Sequence, residues 1–458
     1  MEIRQDTTFR DTPVEVTPVV PSDDLTVAVP GSKSYTLRAL FLGAMTPGRV
    51  IIDNALESED TAAAIQCLQT LGIVIKKSGS RISIMNDISV VKDREYDLDV
   101  NQSGVTLRFL TALSCLLPGR QTIYGTMSLN ERPIRPLVDA LLQLGADITH
   151  LDKPGNPPII VSSSTLQGSS VSIDGSMSSQ YISALLQVAP LLNHGLTLII
   201  EGSLASAPYV AMTIDIMQKF GVRVLNDHFS TLSVNHKQSY HIEHYKVEGD
   251  ISSASYFFAI AALTKSTITV THINPDSRQA DMAMLNILEK MSAKIEKSKQ
   301  SITVTGHGVR PVVVDMEQCP DQVMTIAVLA AYADGETTIS GIRTLRVKET
   351  DRVAAIESEL KKMGIKSKST ADELIIYGGV PRAANIDTYH DHRIAMALSV
   401  AGTLTPGMRI TNPRVVEKTF PTYWLELAKL ARPNDKAHRQ TPLDVLQSNH
   451  TKELLYGR

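Results

Sequence analysis

The hydrophobic pattern of the chain repeats six times. At nearly even spacing a small polar cluster opens a long apolar run: YTLRALFLGAM, VTLRFLTALSCLL, SQYISALLQVAPLL, SASYFFAIAAL, QVMTIAVLAAYA and HRIAMALSVAG. The clusters contain Ser34, Ser103, Ser178, Ser252, Asp321 and Asp391, at intervals of 69, 75, 74, 69 and 70 residues. Runs of helical length that are apolar on most sides predict helices buried inside a fold rather than laid across it. Their polar starts suit helix N-termini, where free backbone N–H groups and the helix dipole favour anions. Where such repeats close around common axes, several helix ends face one cleft, an arrangement suited to a multiply charged, phosphate-bearing ligand.

A second series keeps the same period. Amphipathic stretches reach a stop residue and then a hairpin-like segment, as in LQTLGIVIKKSGSRISI and LKKMGIKSKSTADELIIY. The stops are Gly72, Gly145, Gly221, Ser292 and Gly364, spaced by 73, 76, 71 and 72 residues. Glycine past the last helical turn is the expected C-terminal cap, and two short alternating strands follow. A sixth helix near YWLELAKL has no hairpin after it, so the extended N-terminal segments VEVTPV and LTVAVP are expected to complete that unit. The pattern predicts six α/β units of about 70 residues, too long for the common short solenoid repeats.

Composition narrows the partners. A chain of 458 residues is long enough for two or three domains. Its net charge of −3 and pI near 6.5 argue against general nucleic-acid binding. An aromatic content of 5% leaves few platforms for stacking bases. Cys67, Cys115 and Cys319 form no CxxC pair, so neither a disulfide framework nor a structural zinc site is favoured. The N-terminus lacks the apolar core of a signal peptide, and no apolar stretch has membrane-spanning length, so a cytoplasmic protein is expected.

The candidate chemistry sits at the helix starts. VPGSKSYTLRAL places Lys33, Ser34 and Arg38 together, but Ser32 stands where a phosphate-binding P-loop needs glycine, which argues against an ATP site. LRVKETDRVAAIESELKKMG sets Arg346, Lys348 and Arg352 beside Glu349 and Asp351, where an apolar stripe predicts a helix starting near Thr350 or Asp351. Charge runs are usually solvated faces, yet cations at the positive end of a helix oppose its dipole and gain from a bound anion. His390, Asp391, His392 and Arg393 repeat the arrangement. Adjacent residues rarely converge on one metal ion, so an arginine-centred anion site is the stronger reading. Ser178, Ser179 and Gln180 add neutral donors, of which simple capping accounts for one. Lys418 and Arg132 are weak signals alone.

Nine segments in order, PGSKSxxxRAL, SGVTLRFL, ERPIRPLVDAL, DGSMSSQY, EGDISSASYF, PDQVMTIA, RVKETDR, DHRIAMA and EKTFP, resemble the 3-phosphoshikimate 1-carboxyvinyltransferase (5-enolpyruvylshikimate-3-phosphate synthase) family over about residues 25 to 431. The resemblance implies a two-domain α/β enolpyruvyl transferase fold with three repeats per domain. Residues 29–247 form an inserted domain, 1–28 with 248–431 a discontinuous one, and 432–458 a C-terminal extension. It implies a shikimate 3-phosphate site using Lys33, Ser34, Arg38, Ser178, Ser179, Gln180, Ser206, Tyr209, Asp321, Thr344 and Lys348. Phosphoenolpyruvate would meet Lys33, Gly104, Arg132, Gln180, Arg352, Arg393 and Lys418. Two anionic substrates in one pocket demand several cations to offset their repulsion. Asp321, Glu349 and Lys33 are the implied catalytic groups, with Asp321 otherwise readable as a plain helix cap. No metal or organic cofactor, nucleic-acid partner or membrane is implied, and a monomer is expected. Alanine at Arg352 or Arg393 is expected to weaken phosphoenolpyruvate binding while sparing the fold.

Gln102, Val105 and Thr344 depart from the commonest family pattern, which bears on affinity more than on reaction class. Two other readings are weighed. A UDP-N-acetylglucosamine enolpyruvyl transferase would carry Lys-Asn where this chain has Lys33 and Ser34, and a cysteine in the loop that reads GTMSLNERP. A non-catalytic phosphometabolite-binding paralogue is disfavoured by the intact Asp321, Glu349 and Lys33.

Overall fold

The six apolar runs form helices at Lys33–Ala44, Gly104–Ser114, Ser179–Val188, Ile251–Thr264, Val323–Ala331 and His392–Gly402. They belong to a computed structural model that describes residues 12–164 and 166–431; the expected extension 432–458 lies outside the described residues. The first three helices pack against one another in one hydrophobic core, and the last three pack together in another. Leu37, Leu107, Leu185, Phe257, Leu329 and Leu398 are all sealed from solvent. Each such side chain contributes roughly 1.5–3 kcal/mol of burial.

The first five units wrap their helices in the same way. In the second, the strands Glu95–Asp99 and Arg120–Tyr124 pair in parallel through the buried helix between them. The amphipathic helix Arg135–Gln143 follows. The hairpin Asp147–His150 and Ile159–Ser162 then adds to the sheet antiparallel, with Ile159–Ser162 in contact. Parallel strands need a crossover and antiparallel ones a short turn, so one unit contains both connections. The predicted stops sit at positive φ: Gly72 101°, Gly145 101°, Gly221 88°, Ser292 94° and Gly364 79°.

Three sheets borrow a strand from far along the chain. His244–Lys246 lies parallel to Val50–Asp53 and opens the first sheet. Leu25–Ala28 lies parallel to Thr267–Thr271 and opens the fourth. This corrects one expectation: LTVAVP joins the fourth unit, where Val27 and Val29 enter the second core, and not the sixth. The segment VEVTPV does complete the sixth sheet, through Val14–Glu15 against Arg409–Ile410. The chain therefore passes between the cores twice, and the passages touch at a bridge between Gly31 and Gly249. A Cβ at Gly31 would lie 1.8 Å from the Asn54 carbonyl oxygen, so only glycine fits that passage. Asp250 ties the crossing together. One carboxylate oxygen accepts from Ser253 N–H (2.7 Å) and caps its own helix, and the other accepts from Lys33 N–H (3.1 Å) at the start of the first helix.

Candidate active site

The helix starts of both halves converge on a cleft with a cavity volume of about 70 Å³. Lys33, Ser34, Arg38, Ser178, Ser179, Gln180, Ser206, Tyr209, Asp321, Thr344, Lys348 and Arg393 line it, twelve positions that the sequence nominated. Val105, Met177, Ala205 and Pro320 complete the wall. Apolar positions beside a polar motif carry no sequence signal that separates pocket wall from core. A smaller cavity of about 30 Å³ is lined by Gln102, Ser128, Leu129, Arg132, Glu349, His390 and Lys418.

Local structure explains why these side chains face inward. Ser178 caps Ser179–Val188 by accepting from Gln180 N–H (3.3 Å), which turns the neighbouring donors into the cleft. Arg38 is buried beside Phe109 and held by neutral acceptors, with Nε donating to Thr213 Oγ1 (2.8 Å) and Nη2 to the Tyr209 carbonyl (3.1 Å). No carboxylate pairs with it among the described residues. Burial without an anion depresses its pKa to about 10. Gly104 has no side chain to hold Arg132 away, for a Cβ there would come within 3.0 Å of Arg132 Nη1.

Arg352 joins the two cavities. Its Nε donates to Asp391 Oδ2 (2.7 Å), Nη1 to Asp321 Oδ1 (2.9 Å) and Nη2 to Glu349 Oε2 (2.9 Å). The side chain is 2% exposed and lines neither cavity. Its place at the positive end of a helix, suggestive of a missing anion in the sequence, is offset by three internal carboxylates. Asp351 caps that helix, Arg352–Lys362, through Val353 and Ala354 N–H, within a residue of the expected start.

Asp321 is not the cap its sequence position suggested. It lies in the 3-10 turn Pro320–Gln322, before Val323–Ala331, and its other oxygen accepts from Arg393 Nη2 (2.7 Å) and Tyr209 O–H (3.3 Å). Burial acts to raise its pKa, but Arg393 and Arg352 overturn this and hold the carboxyl well below the usual range. Glu349 is likewise held ionised: burial opposes, while Lys418 at 3.2 Å, Arg352 and Arg132 at 3.9 Å prevail. Lys33 reaches Asp60 Oδ2 at 3.6 Å, a partner hidden in sequence as an ordinary acid of a helix first turn. His392 is buried with neither ring nitrogen hydrogen-bonded. Burial, with Lys33, Lys418 and Arg393 nearby, keeps it neutral. Among the described residues no group of three or more His, Cys, Asp or Glu is placed to hold a metal, and the three cysteines are buried and free.

Lys33, Arg38, Lys348, Arg393, Arg132 and Lys418 line the two cavities, against Asp321 and Glu349 as the only carboxylates there. Six cations against two anions along the walls give a positive field that favours anionic ligands. Asp321 and Glu349 thus stand as paired carboxylates among cations where the two halves meet. The family description EPSP synthase (3-phosphoshikimate 1-carboxyvinyltransferase) matches residues 24–427, and the chain belongs to that family. It is 39% identical over 414 residues to the 3-phosphoshikimate 1-carboxyvinyltransferase of Shewanella amazonensis, covering 89% of this chain and 96% of the relative. Against that of Colwellia psychrerythraea it is 39% identical over 412 residues, with 88% and 96% covered. The EPSP synthase structure from Acinetobacter baumannii shares the fold at TM-score 0.76 and 24% identity, covering 91% of this chain and 97% of that one.

Proposed function

We propose that the protein transfers the enolpyruvyl group of phosphoenolpyruvate to the 5-hydroxyl of shikimate 3-phosphate, releasing phosphate. This is the step of the shikimate pathway that leads toward chorismate and the aromatic amino acids. The observation that carries the proposal is one guanidinium, Arg352, bonded to both Asp321 and Glu349 between two cation-lined cavities. Shikimate 3-phosphate is assigned to the larger cavity, against Lys33, Ser34, Arg38, Ser178, Ser179, Gln180, Ser206, Tyr209, Thr344 and Lys348. Phosphoenolpyruvate is assigned to the seam, against Lys33, Gly104, Arg132, Gln180, Arg352, Arg393 and Lys418. Arginine forks suit its carboxylate and phosphate, and lysines add point charge.

The acceptor's 5-hydroxyl oxygen bonds to C2 of phosphoenolpyruvate while C3 gains a proton. The tetrahedral intermediate then loses phosphate and one C3 proton. In this reading Asp321 takes the hydroxyl proton, Glu349 exchanges the proton at C3, and Lys33 offsets charge where both substrates meet. In the unliganded protein both carboxyls hold protons weakly, for cations crowd them. Phosphoenolpyruvate gives Arg393, Arg352, Arg132 and Lys418 a competing anion. Its arrival therefore raises the proton affinity of Asp321 and Glu349 as the reactants come together.

The two cores are proposed as domains, 29–247 and 1–28 with 248–431, and the protein as a cytoplasmic monomer. Among the described residues no helix is long and apolar enough to cross a membrane. The test is phosphate release from phosphoenolpyruvate with each candidate acceptor. Asp321→Asn, which keeps the shape, is expected to lower kcat by roughly 10²-fold or more with shikimate 3-phosphate. Near-normal turnover of that variant would remove Asp321 as the base, and release only with a UDP-sugar acceptor would overturn the reaction assignment.

A further inference from the structure

The helix Ala207–Lys219 carries Tyr209 into the larger cavity, yet its own N-terminus is left uncapped by its own sequence. Ser206 stands at the cap position with φ 57° and ψ 44°, a left-handed conformation in which its side chain makes no capping bond. Its Oγ instead donates across the cleft to the Glu317 carbonyl (3.4 Å). Pro208 has no N–H to satisfy. The Ala207 N–H is met from the other half of the molecule, where Gln318 Oε1 accepts it at 2.9 Å. Two residues further along the helix, Tyr209 O–H reaches Asp321 Oδ2 (3.3 Å), three residues beyond Gln318. One short loop of the second half therefore contacts this helix start at successive points.

That loop is rigid enough to serve. Glu317 N–H donates to Asp315 Oδ1 (2.8 Å) and Cys319 N–H to the Met316 carbonyl (3.1 Å). Gly341 packs beneath so closely that a Cβ there would lie 2.5 Å from Glu317 N. The Gln318 side chain is consequently offered from a fixed backbone. A helix whose cap residue is turned away exposes orphan donors, and an acceptor supplied from outside restores what the sequence omits.

We propose that Gln318 is a positioning residue that caps the Ala207–Lys219 helix across the cleft, coupling closure of the two halves to the placement of Ser206 and Tyr209. When the halves separate, Ala207 loses its acceptor and the first turn frays. When they close, the turn forms and Tyr209 is fixed between Arg38 and Asp321. The consequence for turnover rests on the proposed assignment of that cavity to shikimate 3-phosphate, whereas the cap itself does not.

Hydrogen exchange on the full-length chain, without ligand and with saturating shikimate 3-phosphate plus an unreactive phosphoenolpyruvate analogue, reads the cap in the open and closed populations. Gln318→Ala is expected to speed exchange of the amides at the start of this helix about fivefold, the size of one lost cap. Helices elsewhere should be unchanged. Gln318→Glu keeps an acceptor and places negative charge at a helix N-terminus, so it should restore protection. In steady-state assays Gln318→Ala should raise KM for shikimate 3-phosphate about fivefold with kcat within about twofold, a loss of ground-state binding, and Gln318→Glu should recover it. Equal exchange in the wild type and Gln318→Ala in both conditions, or equal loss in the alanine and glutamate variants, overturns the proposal. If exchange responds as expected but the protein does not use shikimate 3-phosphate, the cap stands and the substrate assignment falls.

Discussion

Arg352 carries a structural load that its motif does not reveal. Three carboxylates share one guanidinium, and Asp391 among them is completely buried. Arg352→Ala strands that charge, so the fold is expected to lose about 3–5 kcal/mol, measurable by urea unfolding. This revises the expectation that alanine here leaves the fold intact; an unchanged midpoint would show that the carboxylates find other partners. Asp281 behaves in the opposite sense. Its Oδ2 accepts from Ser252 while its Oδ1 has no hydrogen-bond partner, and burial outweighs the attraction of Arg393 to push its pKa up to about 6. The folded protein thus holds this proton more tightly than the unfolded chain. The stabilisation is complete below the ordinary aspartate value of 3.8 and fades as pH rises through about 6. Asp281→Asn should therefore gain stability relative to wild type between pH 4.5 and 8, by about 2 kcal/mol. A difference between the two proteins that stays constant with pH would count against a buried, titrating Asp281.

At the scale of elements, the helix starts decide where charge can gather. Gly104 opens Gly104–Ser114, and a methyl there would meet Arg108 Nη1 at 2.6 Å and Arg132 Nη1 at 3.0 Å. Both atoms are ends of long side chains, so Gly104→Ala should fold. It should also displace Arg132 and raise KM for phosphoenolpyruvate by roughly tenfold, the size of one charge-assisted contact. Unaltered kinetics with a shifted melting temperature would reverse that reading. Elements were the most legible part of this chain. Apolar runs and stop residues fixed the six units, even where Ser292 takes the left-handed position usually given to glycine, because local sterics set both. Strand partners were not legible. Leu25–Ala28 pairs with Thr267–Thr271 across more than two hundred residues, and alternation says which face is buried but not which neighbour lies alongside. The site was legible by residue and not by partner. Lys33 and Arg393 stand out in their motifs, but nothing in the order of residues joins Arg352 to Asp391 or Lys33 to Asp60.

For the whole molecule, like charges facing each other across the cleft set a balance that ligands shift. Cations of the first half (Lys33, Arg38, Arg132) and of the second (Lys348, Arg393, Lys418) line the same two cavities. Anions bound between them relieve repulsion and favour the closed population. Small-angle scattering should record a smaller radius of gyration with both substrates, or with shikimate 3-phosphate and an unreactive phosphoenolpyruvate analogue. A profile that ignores saturating ligand would exclude closure as part of the cycle.

The bridge between Gly31 and Gly249 has a consequence for synthesis and inheritance. The intervening stretch leaves and re-enters the other half at one point, so its ends are adjacent and it can be treated as a cassette. It carries its own opening strand, His244–Lys246, at its far end, and a ribosome must deliver that strand before the first sheet closes. Expressed alone, residues 31–249 should unfold cooperatively as an independent piece. The remainder, rejoined by a short linker between Pro30 and Asp250, should do the same. A gene so divided would let each half be exchanged or permuted without cutting a sheet.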